Sequence, residues 1–142
     1  PILLHDPVRN VIGMIHAGWV GTVKQIAEQA VKTMTIRYGS VPADIRAGIG
    51  PSIGPDHYEV GEDVNAAVMK VFGDQTNSLL IKRNGKLFFD LWEANRLSLT
   101  RAGVHTVQVA RLCTACSLED WYSHRAENGQ TGRFGALLGL RG

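Results

Sequence analysis

The sequence predicts an α+β fold in which helices interleave irregularly with strands and hairpins. Some segments carry apolar residues with helical spacing, whereas others are short runs typical of strands. The pair Asn84-Gly85 lies between two strand-like runs, and this pair is the strongest short-range signal for a hairpin. Because a strict β-α-β alternation is missing, the pattern favours a layered α+β sheet over a doubly wound parallel one.

Composition and length indicate one globular domain, which we expect to span residues 1–142. Hydrophobic residues make up 44% and charged residues 20% of the chain, and no apolar run approaches the length of a membrane span. The net charge of +2 comes from 15 basic and 13 acidic side chains without a like-charged block. We therefore expect no membrane and no nucleic-acid partner. Without a signal-peptide pattern or a disulfide framework, the cytoplasm is the expected compartment.

The first part of the chain predicts two strands, one helix and a third strand. Their expected bounds are residues 2–5 and 11–15 for the strands, 22–39 for the helix and 45–49 for the third strand. Thr22 is the expected cap of the helix, and Gly39 is the expected end. Two Gly-Pro steps then predict a rigid loop over residues 50–55.

The second part predicts two further helices, the hairpin and two late strands. Their expected bounds are 61–72 and 91–102 for the helices, 79–82 and 86–89 for the hairpin, and 104–110 and 133–140 for the strands. Asp90 and Glu93 have the spacing of a capping box, and Gly103 is the expected stop of the second helix.

His16 is the first candidate functional residue. It follows a predicted strand and precedes a glycine-containing turn, a place where a rigid scaffold often positions functional side chains. By position alone, the alternative is a partly buried histidine that is hydrogen-bonded to a backbone carbonyl. The residues leave both interpretations open.

Further candidates cluster in two loops. Asp56, His57 and Glu59 could bind a metal or act in acid–base chemistry, although solvated loops often carry such residues. Cys113 and Cys116 form half of a zinc-ribbon pattern without a second cysteine pair, and a disulfide between them would close only a very small loop. The residue types alone therefore decide neither site.

The segment that follows the cysteines has the composition of a nucleoside pocket. Trp121-Tyr122 offers aromatic faces on which a base can stack, and Ser123-His124-Arg125 adds a hydroxyl, an imidazole and a guanidinium. The alternative is a polar surface loop with one buried aromatic residue.

Taken in order, motifs along essentially the whole chain resemble the YfiH family of bacterial purine nucleoside phosphorylases, formerly described as laccase-domain polyphenol oxidases. The motifs are His16-Ala17-Gly18-Trp19; Gly50-Pro51-Ser52-Ile53-Gly54-Pro55 with Tyr58-Glu59-Val60-Gly61; Asp90-Leu91-Trp92; Cys113-Thr114 with Cys116; Tyr122-Ser123-His124-Arg125; and Thr131-Gly132-Arg133. Each motif alone is weak, but their shared order makes the resemblance specific.

The resemblance implies a four-layer α/β/β/α sandwich and an enzyme that phosphorolyses adenosine, inosine and methylthioadenosine and also deaminates adenosine. It implies purine nucleoside and phosphate as the partners and zinc as the cofactor, with His16 as one of three protein ligands. Arg125, with Ser123 and His124, would line the substrate pocket.

The resemblance also predicts an incomplete site in this chain. The family's other two zinc ligands, a histidine and a cysteine, belong to motifs that the sequence lacks, so we expect the chain to begin just beyond the second ligand. Val20 stands where the family usually has arginine, which removes a fixed charge. Asp56-His57 stands where many relatives have a cysteine pair, and His57 is a conceivable substitute ligand.

Three rival readings remain. A copper-dependent oxidase would need a cluster of many histidines, whereas the 5 histidines are scattered without a His-x-His pair. A non-catalytic truncated domain would account for the missing ligands. A cysteine hydrolase built on Cys113 and His124 fits the residue types, although sequence cannot show that these two residues meet.

Overall fold

A computed structural model describes residues 1–141, and residue 142 lies outside the described part. The described chain divides into two compact units. The first unit comprises Pro1–Gly50, Ala94–Ala110 and the segment from Ala136, and the second comprises Pro51–Glu93 and Arg111–Gly135. The expectation of a single domain over residues 1–142 stays a prediction.

Strands and helices alternate irregularly along the chain, so the predicted α+β class is confirmed. In chain order the elements are β1 (Ile2–Asp6), β2 (Val11–Ile15), α1 (Trp19–Val23), α2 (Ile26–Tyr38), β3 (Arg46–Ile49), β4 (Glu59–Val60), α3 (Glu62–Phe72), α4 (Thr76–Leu79), β5 (Leu80–Arg83), β6 (Lys86–Phe89), α5 (Leu91–Arg101) and β7 (Thr106–Val109). Short 3-10 helices occur at Pro42–Asp44 and Gly73–Gln75. Within residues 1–141, no helix is both long and apolar enough to cross a membrane.

The first unit is built on a four-stranded mixed sheet in the order β2-β1-β3-β7. β1 pairs antiparallel with β2 and β3, and β3 pairs parallel with β7. Ile2 and Leu4 of β1 are fully buried and anchor the core of the sheet. The β1–β2 turn is closed by Asp6, whose Oδ1 accepts hydrogen bonds from the backbone N–H groups of Val8 and Arg9 at 2.9 and 3.0 Å.

The helix predicted over residues 22–39 is confirmed from Ile26 to Tyr38 as α2, but its start is wrong, because the separate helix α1 covers Trp19–Val23. Gln25 adopts a left-handed conformation (φ 57°) between α1 and α2 and thereby breaks the helical run. Thr22 lies inside α1, where its hydroxyl is 3.0 Å from the Gly18 carbonyl oxygen, and it does not cap the helix. Gly39 ends α2 in the left-handed conformation, as expected.

The second unit contains a three-stranded sheet in the order β4-β6-β5, antiparallel throughout. The predicted hairpin is confirmed, with Asn84 and Gly85 both at positive φ as a type I′ turn requires. The two-residue strand β4 was not predicted, because so short a segment carries no alternation signal. The expected cap also forms: Asp90 Oδ1 accepts a hydrogen bond from the Glu93 N–H at 2.9 Å.

The final strand predicted over residues 133–140 is wrong. No strand is assigned to residues 133–141. Its apolar side chains suggested a buried strand, but Phe134, Leu137 and Leu140 are 38%, 97% and 42% exposed. In the described chain, this segment has no sheet face against which to bury them.

Candidate functional site

His16 directly follows β2 in the first unit and leads into the turn before α1. Its side chain is exposed, so the partly buried interpretation is wrong. The first turn of α1 packs closely behind His16, since a Cβ atom added at Gly21 would lie 3.4 Å from the His16 carbonyl oxygen and 3.3 Å from Ile26. Val20, at which the resemblance led us to expect arginine, lies in α1 and is 44% exposed.

The residues present do not complete a three-ligand zinc site around His16. Within residues 1–141, the groups of three or more potential ligands that lie close together do not include this histidine. One imidazole holds zinc only weakly, because a catalytic zinc site normally takes three protein ligands. Within the described residues, His16 therefore lacks the further ligands that a zinc site would need.

The segment Ser123-His124-Arg125 lies in a compact turn of the second unit. The Glu127 carboxylate holds this turn by accepting hydrogen bonds from the Ser123 N–H at 2.7 Å and from the Thr131 hydroxyl. The Thr131 hydroxyl, followed by the Ser123 N–H, lowers the pKa of Glu127. Ser123 is 3% exposed. The role of Glu127 was missed, because nothing in the sequence shows that its carboxylate folds back onto the turn.

Two contacts fix Arg125. Its Nη1 donates a hydrogen bond to the Glu59 carbonyl oxygen, and its guanidinium carbon lies 5.1 Å from the centre of the Tyr58 ring. Tyr58 is itself buried, and burial raises the pKa of its hydroxyl. Arg125 remains exposed, and a guanidinium carries five N–H donors, so some of them face solvent after the Glu59 contact. His124 is also exposed.

The second unit also brings together Asp56, His57, Cys113 and Cys116, here called the Asp-His-Cys-Cys cluster. One potential ligand atom from each residue lies within 4.8 Å of all the others. The cysteines are free thiols, Cys113 almost buried and Cys116 exposed. His57 Nδ1 is 3.7 Å from the Cys113 sulfur, 3.5 Å from the Cys116 sulfur and 3.3 Å from Asp56 Oδ2. The sequence analysis identified Asp56 and His57 as one group of candidates and the two cysteines as another, but it did not predict that the two groups lie close together.

Backbone contacts hold the two halves of the cluster against each other. Ser52 and Cys113 form an isolated parallel β-bridge, in which the Thr114 N–H donates to the Ser52 carbonyl oxygen at 3.2 Å. The Gly54 N–H donates to the Cys113 sulfur at 3.2 Å. A Cβ atom at Gly54 would lie 3.0 Å from the Trp92 ring and 3.2 Å from Cys113 Cβ, so this close approach of the backbone favours glycine.

The imidazole beside Cys113 is that of His57. The hydrolase reading paired Cys113 with His124 instead. In the described turn, His124 packs against Gly129, where an added Cβ atom would lie 3.5 Å from His124 Nε2. The hydrogen bond with Cys113 raises the pKa of the Cys116 thiol, which disfavours a reactive thiolate at this position.

The structure is that of a mixed α+β protein with an exposed histidine at a strand end and a loop cluster of Asp, His and Cys side chains that could hold a metal ion. The family model described as "Multi-copper polyphenol oxidoreductase laccase" matches residues 1–141. The chain belongs to this family, and the resemblance that the ordered motifs carried is confirmed.

Relatives and solved structures agree with this assignment. The chain is 43% identical over 140 residues to "Purine nucleoside phosphorylase" of Deinococcus radiodurans, covering 99% of this chain and 53% of the relative. It is 35% identical over 137 residues to "Adenosine deaminase RL5" from an unknown prokaryotic organism, covering 94% of this chain and 52% of the relative. The chain therefore spans about half the length of the curated relatives it matches.

A solved structure carries the same fold. The crystal structure of the Bacillus licheniformis hypothetical protein YfiH superposes with a TM-score of 0.87 at 38% sequence identity, covering 92% of this chain and 50% of that one. The YfiH-like fold implied by the motifs is thereby confirmed.

Proposed function

We propose that this chain is part of an enzyme that cleaves purine nucleosides with phosphate, acting on adenosine, inosine and methylthioadenosine, and that also deaminates adenosine. The observation that carries the proposal is the 43% identity to a purine nucleoside phosphorylase over 140 residues. The relative named adenosine deaminase supports the second activity. Purine nucleoside and phosphate are accordingly the proposed partners. The cytoplasmic location stays a prediction.

The proposal assigns substrate contacts to Arg125, Ser123 and His124. Phosphate is an anion that a guanidinium recognises well, and the Arg125 guanidinium keeps donors in solvent while Glu59 and Tyr58 hold it in place. Ser123 belongs to the turn that Glu127 holds, and its hydroxyl accepts a long hydrogen bond of 3.5 Å from the Ala126 N–H. We propose that Ser123 helps to position the exposed side chains of His124 and Arg125 at the substrate pocket.

The proposal includes zinc as the cofactor, with His16 as one of its ligands. An exposed imidazole at a strand end suits a metal ligand, because its ring nitrogens are accessible. When bound, zinc supplies Lewis-acid chemistry. The described residues provide one ligand of this site, so no reaction step is derived from it.

The test is a phosphate-dependent assay of adenosine conversion by the full-length protein, with His16→Ala beside His105→Ala. His105 is also exposed but belongs to none of the motifs, so it is a matched control. We expect His16→Ala to lose bound zinc and phosphorolysis together and His105→Ala to retain both. A full zinc load with normal turnover in His16→Ala would refute the ligand assignment.

Copper oxidation remains the second candidate, because the matching family model is named for it. A multicopper centre needs several clustered histidines, and the ligand group found within residues 1–141 contains one histidine. Oxygen uptake with a phenol as substrate separates the two functions. We expect no uptake above that of a copper-free control. A truncated domain without catalysis is the third reading, and the same phosphate-dependent assay tests it.

A further inference from the structure

Distances between potential ligand atoms in the Asp-His-Cys-Cys cluster are close to those of a tetrahedral zinc site. For Zn–S bonds of about 2.3 Å and Zn–N or Zn–O bonds of about 2.0 to 2.1 Å, tetrahedral angles place sulfur about 3.6 Å from nitrogen or oxygen, and nitrogen about 3.4 Å from oxygen. The His57 nitrogen lies 3.7 and 3.5 Å from the two sulfurs and 3.3 Å from Asp56 Oδ2. The remaining measured edge, from Cys116 sulfur to Asp56 Oδ2, is slightly longer at 4.0 Å.

The loops that carry these ligands are held together by contacts that need no metal. The Ser52 N–H donates a hydrogen bond to the Leu112 carbonyl oxygen, and the Ser52 carbonyl oxygen accepts one from the Thr114 N–H, both at 3.2 Å. The Trp92 indole N–H also donates a hydrogen bond to the Ser52 hydroxyl at 2.8 Å. Little rearrangement is therefore needed for an ion to bind.

The sulfur of Cys113 shows a second feature of a metal-bound thiolate. It accepts the Gly54 N–H at 3.2 Å, and hydrogen bonds of this kind orient and tune ligands at metal centres. The close packing around Gly54 leaves no space for a side chain that would move this N–H away. Besides its four potential ligand atoms, the cluster therefore has a backbone hydrogen bond that orients one of them, the Cys113 sulfur.

We propose that Asp56, His57, Cys113 and Cys116 bind one Zn²⁺ ion as a structural site within the second unit. Two thiolates and an imidazole favour zinc over magnesium or calcium, which prefer oxygen ligands. Four protein donors leave no open position for a substrate, so the site closes the two loops and takes no part in chemistry. Binding releases the protons of both thiols to solvent. The proposal does not involve His16 and does not rest on the proposed function.

The test uses the full-length protein, stripped of metal by a chelator and then titrated with Zn²⁺ or with Co²⁺ as a spectroscopic substitute. We expect Co²⁺ to give tetrahedral ligand-field absorption together with sulfur charge-transfer absorption. Zn²⁺ should protect Cys113 and Cys116 from alkylation and raise the Tm, and the chelator should reverse both effects.

Variants assign the ion to this cluster. His57→Ala and Cys116→Ser change exposed side chains, so the core should remain folded, as circular dichroism can verify. Each should lose about one equivalent of bound metal and the protection of Cys113, whereas His16→Ala and His105→Ala should retain the protection. Equal metal content and equal Cys113 protection in wild type, His57→Ala and Cys116→Ser would overturn the proposal. So would unhindered alkylation of Cys113 in the wild type at saturating Zn²⁺.

These readouts keep the two proposals apart. Loss of activity in His16→Ala with intact protection of Cys113 would support the structural site irrespective of the zinc at His16. Normal phosphorolysis together with unprotected cysteines would overturn the structural site alone.

Discussion

At the scale of single residues, the contacts of a side chain separate residues that look equivalent in the sequence. Arg83 and Arg125 both lie over an aromatic ring, at 5.5 Å from the centre of Phe88 and 5.1 Å from that of Tyr58. Arg125 belongs to the motif Tyr122-Ser123-His124-Arg125 and donates a hydrogen bond to the backbone carbonyl of Glu59. Two partners therefore fix the position of the Arg125 guanidinium, and the single ammonium group of a lysine cannot replace its planar set of N–H donors.

We accordingly expect Arg125→Lys to raise the KM for phosphate more than it lowers kcat. A hydrogen bond to a charged group contributes about 1.5–3 kcal/mol, which corresponds to roughly 10- to 150-fold in affinity. Arg83→Lys is the matched control and should leave the KM unchanged. Initial rates over a range of phosphate concentrations measure both. An unchanged phosphate KM in Arg125→Lys would remove this residue from the proposed pocket.

Glu127 provides the pH dependence of the same turn. Because the folded state lowers its pKa, the charged carboxylate stabilises the fold at pH values above the ordinary glutamate pKa of about 4.3, and this contribution is lost as the pH falls through the lower folded pKa. We expect the free energy of unfolding to fall less steeply in this acid range for Glu127→Gln than for wild type. Denaturant unfolding at several acidic pH values is the measurement, with exposed Glu119→Gln as the control. Parallel curves for Glu127→Gln and wild type would contradict the role assigned to Glu127.

At the scale of elements, the sequence predicted what short-range signals determine. The hairpin at Asn84-Gly85 and the cap at Asp90 each depend on residues a few positions apart, and both are present. The break at Gln25 was not predicted, because glutamine carries no turn signal and its left-handed conformation is imposed by the surrounding structure. The prediction of a final strand was wrong for the converse reason: its apolar pattern is a local signal for a strand, but in the described chain the segment pairs with no sheet.

The cap gives a quantitative prediction at this scale. Asp90→Ala removes the acceptor of the Glu93 N–H and should lower the free energy of unfolding by about 1 kcal/mol. Asp90→Asn keeps an acceptor oxygen, and burial raises the pKa of Asp90, so the neutral amide should cost much less. Urea unfolding of the three proteins compares them. An equal decrease in the free energy of unfolding in both variants would show that the negative charge at this position stabilises the protein and that the capping hydrogen bond does not.

At the scale of the whole molecule, the parts of the site were predictable but their assembly was not. The sequence singled out His16, the Asp56-His57 pair, the two cysteines and the segment ending at Arg125. Cys113 and His57 are in contact although they lie 56 positions apart in the sequence, and no rule based on residue spacing predicts such a long-range contact. The bridge between Ser52 and Cys113 and the hydrogen bond from the Gly54 N–H to the Cys113 sulfur bring these loops together.

The same argument predicts how residues 1–142 behave as a separate chain. Within the described residues, four donors meet in the Asp-His-Cys-Cys cluster, whereas His16 has no comparable group. We therefore expect this chain to protect Cys113 with Zn²⁺ but to show no phosphate-dependent conversion of adenosine, because a catalytic zinc site needs three protein ligands. Alkylation and the nucleoside assay on the same folded sample measure both properties. Phosphorolysis by this chain at the rate of the full-length protein would mean that His16 needs no ligands beyond residues 1–142.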